Sequence, residues 1–374
     1  MQPPSLADVP HLGQVVPSLL AALGVPGCAN TLALPEARSA AVLLVDGLGA
    51  ELLAEHAADA PVLTELAREP LRVGFPSTTA AGVAAIGTGL ASGEHGMVGY
   101  TFEMPGTGVL NALRWCSHED GSDLRGALPP REVQPLPTTF ERAAAAGIDA
   151  AVVSAAKFAD TALTRATQSG ACYAGVHALG DLAARTLSVL DGRAFCYAYH
   201  SELDLLGHVY GPGSAAWRMQ LRQIDRLVES LVEGLPPGAL LAVVADHGMV
   251  TVDDQLDLED VPELLAGVRT FGGEVRARHV YTEPGAAADV LAAWREVLGE
   301  RAWVRSREEA VADGWFGHTV SDRVLPRIGD VVAAARDRFG MVRGLAEAVE
   351  TSLIGQHGSL TTAEQLVPLA LAQG

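Results

Sequence analysis

The feature that most constrains the fold is a repeated arrangement of short apolar runs that stop at a polar residue. Ala40–Val45 runs into Asp46, Ile148–Val153 into Ser154, Ala194–Tyr199 into His200, and Leu240–Ala245 into Asp246. Runs of this kind suit parallel strands covered on both faces. Stretches with helical spacing lie between them. The clearest is Ser214–Glu233, where Trp217, Leu221, Ile224, Leu227, Val228 and Leu231 fall near one face. The alternation predicts an α/β fold, a three-layer α/β/α core around a mostly parallel central sheet. Residues 261–317 read differently, with strands expected at Ala277–Tyr281 and Ala302–Val304 and helices at Gly285–Leu298 and Ser306–Ala312. None of the chemistry described below falls there. The segment is therefore expected to be a small inserted cap, and residues 1–260 and 318–374 the catalytic core.

Charge narrows the function. The net charge of −19 argues against a nucleic-acid-binding surface, which normally shows a basic stripe, and disfavours anionic membranes. If the substrate is a phosphate ester, the same field opposes its approach, and local positive charge must then come from elsewhere; bound metal can supply it. Lys157 is the only lysine, and it follows an expected strand. Cys28, Cys116, Cys172 and Cys196 form no Cys-x-x-Cys pair, which fits reduced thiols. The first basic residue is Arg38, so no secretory signal is evident, and no apolar stretch reaches membrane-spanning length. These features predict a cytoplasmic location.

The polar ends of the strands carry residue types that ligate metals. In open α/β sheets, ligands bind outside the carboxyl ends of the strands. Asp46 lies in Val45-Asp46-Gly47-Leu48-Gly49, a pattern that a simple turn or helix cap also explains. Ser77-Thr78-Thr79 precedes a run of small residues suited to a closely packed helix. A hydroxyl there sits among free N–H groups and is either a cap or an activated nucleophile. Asp204 and His208 stand four apart, on one face of a helix. Asp246-His247-Gly248 follows a strongly apolar strand, and Gly248 permits the irregular turn that two adjacent ligands need. His357 lies in Gly355-Gln356-His357-Gly358, a poor setting for core packing. The mixed N and O donors match two metal sites, and two metals can hold the attacking and leaving oxygens of an in-line displacement.

The ordered set VDGLG (45–49), FPSTTAAGVAAIGTGLASGEHGMVGY (75–100), DLLGHVYGP (204–212), ADHG (245–248) and GQHGSL (355–360) resembles the nucleotide pyrophosphatase/phosphodiesterase family of the alkaline phosphatase superfamily. The resemblance implies an alkaline phosphatase-like core. It implies Thr79 as the nucleophile, because Thr79 lies nine positions before Thr88 of the Thr-Gly pair. It implies one metal held by Asp46, Thr79, Asp246 and His247, and a second held by Asp204, His208 and His357. Two divalent ions are implied, Zn²⁺ by preference and Mn²⁺ as the alternative. The substrate would be a small phosphate ester, nucleotides included, hydrolysed through a phosphothreonine. Tyr199, five residues before Asp204, matches a base-stacking tyrosine of the family. Tyr100, 21 residues after Thr79, stands where the family has a phosphate-binding asparagine, and its hydroxyl is expected to take that role. Ala80 replaces the stacking aromatic beside the nucleophile, which weakens the case for a nucleotide.

Rival readings from other classes fare worse on the residues, whereas the nearest rivals, within the same superfamily, are separated only by substrate profiling. A phosphonate hydrolase or phosphomonoesterase of the same superfamily would share the metals, and a phosphomutase would need a dedicated sugar-phosphate cap. A sulfatase would need a Cys/Ser-x-Pro-x-Arg motif, which the chain lacks. A dinucleotide-binding oxidoreductase is disfavoured because Leu52 stands where the third glycine belongs. No Gly-x-Ser-x-Gly elbow or P-loop is present. A non-catalytic metal-binding protein would explain the ligands but not the hydroxyl beside them. The residues leave the oligomeric state open.

Overall fold

The computed structural model describes residues 2–374. Five parallel strands lead the central sheet: β1 (Ser39–Val45), β2 (Asp149–Ala155), β3 (Cys172–Val176), β4 (Ala194–His200) and β5 (Ala239–Val244). A second, four-stranded antiparallel sheet follows, from β6 (Val268–Glu274), β7 (Ala277–Thr282), β8 (Ala302–Ser306) and β9 (Val331–Ala335). The chain then returns to the first sheet as β10 (Ala370–Gln373). The central order is β10-β5-β1-β4-β2-β3, and only β10 runs antiparallel. The second order is β6-β7-β9-β8. It opens within the segment expected as a cap, and its third-placed strand, β9, lies beyond residue 317.

Five helices matter for the site: α1 (Thr79–Thr88), α2 (Ala162–Thr167), α3 (Glu202–Tyr210), α4 (Ala215–Gly234) and the short α5 (Thr362–Gln365). Every residue of β1 and β5 is buried, as strands covered on both faces require. Helix α4 is capped by Ser214, whose Oγ accepts from the Trp217 amide. It lays Trp217, Leu221, Ile224, Val228 and Leu231 into the main core. No helix of the described residues is long and apolar enough to cross a membrane.

Register brings the polar strand ends together. Val45 pairs with His200, and Leu44 with Val244. Asp46 and Asp246, each two residues beyond the Leu44–Val244 pair, therefore emerge side by side at one edge.

The second sheet is tied to the core by buried ion pairs. Arg278 donates to Glu347, with an N–O distance of 2.6 Å, and both are buried. Burial pushes the Glu347 carboxyl up, but Arg278 and then His118 outweigh it and hold it well below the usual range. A depressed folded value stabilises the protein above the unfolded pKa of about 4.3, and that contribution is lost as pH falls below it. Wild type is therefore expected to lose denaturant resistance between about pH 5 and pH 2 more steeply than Glu347→Gln, measured by urea unfolding. Parallel slopes would remove Glu347 as the source of acid sensitivity.

Candidate metal centre

The seven ligand candidates converge at the carboxyl edge of the central sheet. Six of them form two groups, Asp46, Asp246 and His247, and Asp204, His208 and His357, each with ligand atoms within 4.8 Å of one another. Asp46 and Asp246 follow β1 and β5. Asp204 and His208 lie one turn apart on α3, with His208 Nε2 3.3 Å from the Asp204 carboxylate. The rings of His247 and His357 stack at 3.6 Å, which joins the two groups. Glycine is needed for this crowding. Gly47 has φ +75°, and a Cβ there would lie 2.9 Å from the Asp204 Cβ. A Cβ on Gly82 of α1 would come within 2.4 Å of the Asp246 Cβ.

Thr79 opens α1, and its Oγ1 lies 3.2 Å from His247 Nε2. Thr78 is the N-cap residue, but its side chain caps nothing. The hydroxyl of Thr79 is half-buried and faces the ligands.

The donor atoms fit divalent cations. Each histidine directs Nδ1 to a backbone carbonyl: His208 to Gly355 at 2.7 Å, His247 to Gly248 at 3.1 Å, and His357 to Ser77 at 2.9 Å. This network assigns the proton to Nδ1 and leaves each Nε2 lone pair facing the cluster, the usual arrangement around a ligating imidazole. Asp46 Oδ1, Asp204 Oδ1 and Asp246 Oδ2 are buried without a hydrogen-bond partner. His247 Nε2 does lie 3.2 Å from Asp46 Oδ1, an ion-pair distance without hydrogen-bond geometry. The charges are unbalanced among themselves. Burial, then Asp46, pushes Asp246 well above the ordinary carboxylate range. Burial would lower His247, but Asp246 and Asp46 drive it up to about 10. Burial and His247 push His357 well below the usual imidazole value. Buried carboxylates with unspent lone pairs facing imidazole nitrogens form a donor set suited to Zn²⁺ or Mn²⁺.

The two tyrosines are placed differently. The Tyr199 hydroxyl donates to Asp46 Oδ2. Its ring packs edge-on against Phe158 at 6.0 Å and lines a cavity beside Thr79. Tyr100 lines neither that cavity nor the metal groups. Its hydroxyl donates to Glu350 at 3.2 Å, and burial above all pushes it up to about 12. Lys157 is exposed, with its ammonium 4.8 Å from the centre of the Phe158 ring.

The segment expected to hold no chemistry sends one group inward. Glu274, at the end of β6, is buried with Oε1 unpartnered, and a Cβ on Gly358 would lie 2.9 Å from its Cδ. Burial pushes its carboxyl up to about 8. Only its strand position could have singled it out, because nothing near it in sequence marks a site.

Tyr199 is an orienting partner for a proposed ligand. Removing such a partner usually costs 10–100-fold in metal affinity or activity. Tyr199→Phe is therefore expected to weaken retention of the ion at Asp46 by about tenfold or more, measured by competition with a chromophoric chelator. Unchanged retention would mean that Asp46 needs no such support.

The sequence model of the family described as type I phosphodiesterase / nucleotide pyrophosphatase matches residues 40–360. The chain belongs to this family. It is a branch of the alkaline phosphatase superfamily, and the three-layer core is that of the superfamily. Murine ectonucleotide pyrophosphatase / phosphodiesterase 5 superposes with a TM-score of 0.69 at 16% identity, over 90% of this chain and 88% of that one. An inactive variant of the murine protein, in complex with AMP, gives 0.68 at 16% identity, over 88% and 87%. Among curated proteins, a phosphopentomutase of Anaeromyxobacter dehalogenans is 30% identical over 167 residues, 43% of this chain and 39% of its own. The human ectonucleotide pyrophosphatase/phosphodiesterase family member 7 is 43% identical over 60 residues, 15% of this chain and 13% of its own. The chain thus spans less than half the length of the curated relatives it matches.

Proposed function

We propose that the protein is a metal-dependent hydrolase of phosphate diesters or nucleotide pyrophosphates, with Thr79 as nucleophile. The observation that carries the reading is a half-buried hydroxyl at the start of α1, 3.2 Å from His247 Nε2, beside two groups of convergent ligands. Asp46, Thr79, Asp246 and His247 would hold one divalent cation, and Asp204, His208 and His357 the other. Zn²⁺ is the first choice and Mn²⁺ the second. The cations, when bound, supply Lewis-acid charge at the attacking and leaving oxygens. Thr79 Oγ1 gives its proton to solvent and attacks phosphorus, the P–O bond to the ester oxygen breaks with its electron pair leaving on that oxygen, and a phosphothreonine forms. Water then attacks that phosphorus on the same edge of the sheet and restores the threonine. Free N–H groups at the start of α1 favour the negative charge of the phosphoryl group.

Nucleotides belong among the candidate substrates, since the murine relative was captured with AMP. A phosphomutase is the second reading, favoured by the 30% identity to phosphopentomutase. The segment 261–317, extended by β9, is proposed to act as the cap that screens substrates. The cytoplasm is the proposed location, in keeping with four free cysteines.

The test compares hydrolysis of bis-p-nitrophenyl phosphate and p-nitrophenyl phosphate by the metal-loaded protein. Faster turnover of the diester supports the proposal. A metal-loaded protein inert to both, but active on a pentose phosphate, would establish the mutase reading instead.

A further inference from the structure

The N-terminal stretch from Gln2 to Ala7 and residues between Ala312 and His318 wall a cavity of about 430 Å³. It shares no lining residue with the cavity beside Thr79, and none of its lining residues is a candidate metal ligand. Much of the wall is apolar, with Pro3, Pro4, Leu6, Phe75, Trp315 and Leu360. Two polar groups on it lack partners. Arg72 is half-buried, and its Nε donates to the Val9 carbonyl at 3.0 Å. Its two Nη groups donate to nothing among the described residues. Burial lowers its guanidinium from the ordinary value, and no nearby carboxylate raises it, although the chain carries 45 acidic residues. Trp315 is 5% exposed, and its Nε1 is buried without a hydrogen-bond partner.

A charge taken out of water is ordinarily paired, and a buried polar atom is ordinarily bonded. Two exceptions on one wall, from residues far apart in sequence, mark a missing partner. That partner is an anion, because both exceptions are donors. Asp313 is the only carboxylate among the described residues lining the cavity, and it is engaged by Arg305 at 2.8 Å. A second cavity, of about 420 Å³, shares Arg72, Phe75, Trp315 and His318 but is also lined by Asp8 and Glu94, which repel an anion. The first cavity is therefore the one that suits it. Its volume exceeds the roughly 300 Å³ at which pockets for organic ligands begin. The Trp315 ring is held edge-on against Phe75 at 5.2 Å, so the apolar wall is preformed.

We infer that this cavity is a second ligand site, for a small organic mono-carboxylate with a flat apolar body. The two Nη groups of Arg72 present parallel donors that match the two oxygens of a carboxylate. Trp315 Nε1 supplies a further donor, and the rings of Phe75 and Trp315 cover the body. One guanidinium balances one negative charge, which favours a carboxylate over a phosphate monoester carrying nearly two. The inference stands apart from the reaction proposed at the metal centre and does not rest on it.

The test measures binding of 2-naphthoate and of its neutral analogue 2-naphthylmethanol to the metal-loaded protein by calorimetry. The carboxylate is expected to bind at least about tenfold tighter, the worth of a charge-assisted pair. Arg72→Met keeps the apolar stem and should lower naphthoate affinity about tenfold or more, bringing the two compounds level. Trp315→Phe keeps a ring but removes Nε1, and should weaken naphthoate about fivefold. Circular dichroism verifies folding, and the comparison of the two compounds in wild type needs no variant. Equal binding of the two compounds to wild type, or no binding of naphthoate, would overturn the inference. Naphthoate affinity unmoved in folded Arg72→Met would overturn it too, and would place the carboxylate on the metal centre instead. Absence of diester turnover, with Arg72-dependent binding intact, would count against the proposed function alone.

Discussion

Thr79→Ala is expected to reduce turnover of bis-p-nitrophenyl phosphate by at least about a thousandfold while the protein keeps about two metal ions. The expectation follows from position. Thr79 Oγ1 is the hydroxyl that faces His247 at 3.2 Å, and it stands at the exposed end of an otherwise buried helix. Three candidate ligands, Asp46, Asp246 and His247, remain in that group when Thr79 is removed, so the ion is retained. Thr78→Ala is the control. Thr78 is buried and its side chain caps nothing, so its removal should cost far less. Parallel steady-state assays and metal analysis of the three proteins decide the matter. Loss of metal along with activity would make Thr79 a ligand first and leave the nucleophile unidentified. Full activity in Thr79→Ala would end the phosphothreonine route.

The sheet and the candidate ligands at its edge were legible for one reason. A parallel strand buried on both faces must be apolar throughout, so the point where it stops is conspicuous. Asp46 and Asp246 sit at two such stops. The run ending at Ser154 marked a site less directly. The strand continues through Ala155, and Ser154 Oγ belongs to the cavity beside Thr79 rather than to the metal groups. Tyr199 was identified from the family, yet its hydroxyl turns out to steady Asp46, a contact across 153 residues that no local pattern announces. The same holds for Arg276, Arg278 and Glu364. In Gly-Glu-Val-Arg-Ala-Arg and Thr-Thr-Ala-Glu-Gln they read as ordinary surface charge. They are buried because their partners arrive from 69 and 88 residues away. The extent of the second sheet was hidden likewise, since β9 joins β7 and β8 only through pairing distant in sequence.

Glu364→Leu is expected to destabilise the fold by about 3–5 kcal/mol, the usual cost of stranding one member of a buried ion pair. Both side chains of the Arg276–Glu364 pair are fully buried, and the bonds are 3.0 Å from Nε and 2.7 Å from Nη2. With Glu364 gone, the guanidinium keeps carbonyl partners at Ala335, Arg336 and Phe339 but loses its counter-charge. The effect should reach the metal centre. Glu364 also accepts from the Ser359 amide at 3.0 Å, and its own carbonyl accepts from the Gly248 amide at 2.9 Å. It thus holds the loops that carry both His357 and His247. A double variant, Arg276→Met with Glu364→Leu, removes the stranded charge at the cost of leaving those three carbonyls without the guanidinium. It should therefore be more stable than Glu364→Leu alone, yet less stable than wild type. Urea unfolding of the three proteins, with metal retention followed in parallel, separates the contributions. A double variant no more stable than the single would show that relief of the buried charge does not exceed the cost of the three carbonyls left without the guanidinium.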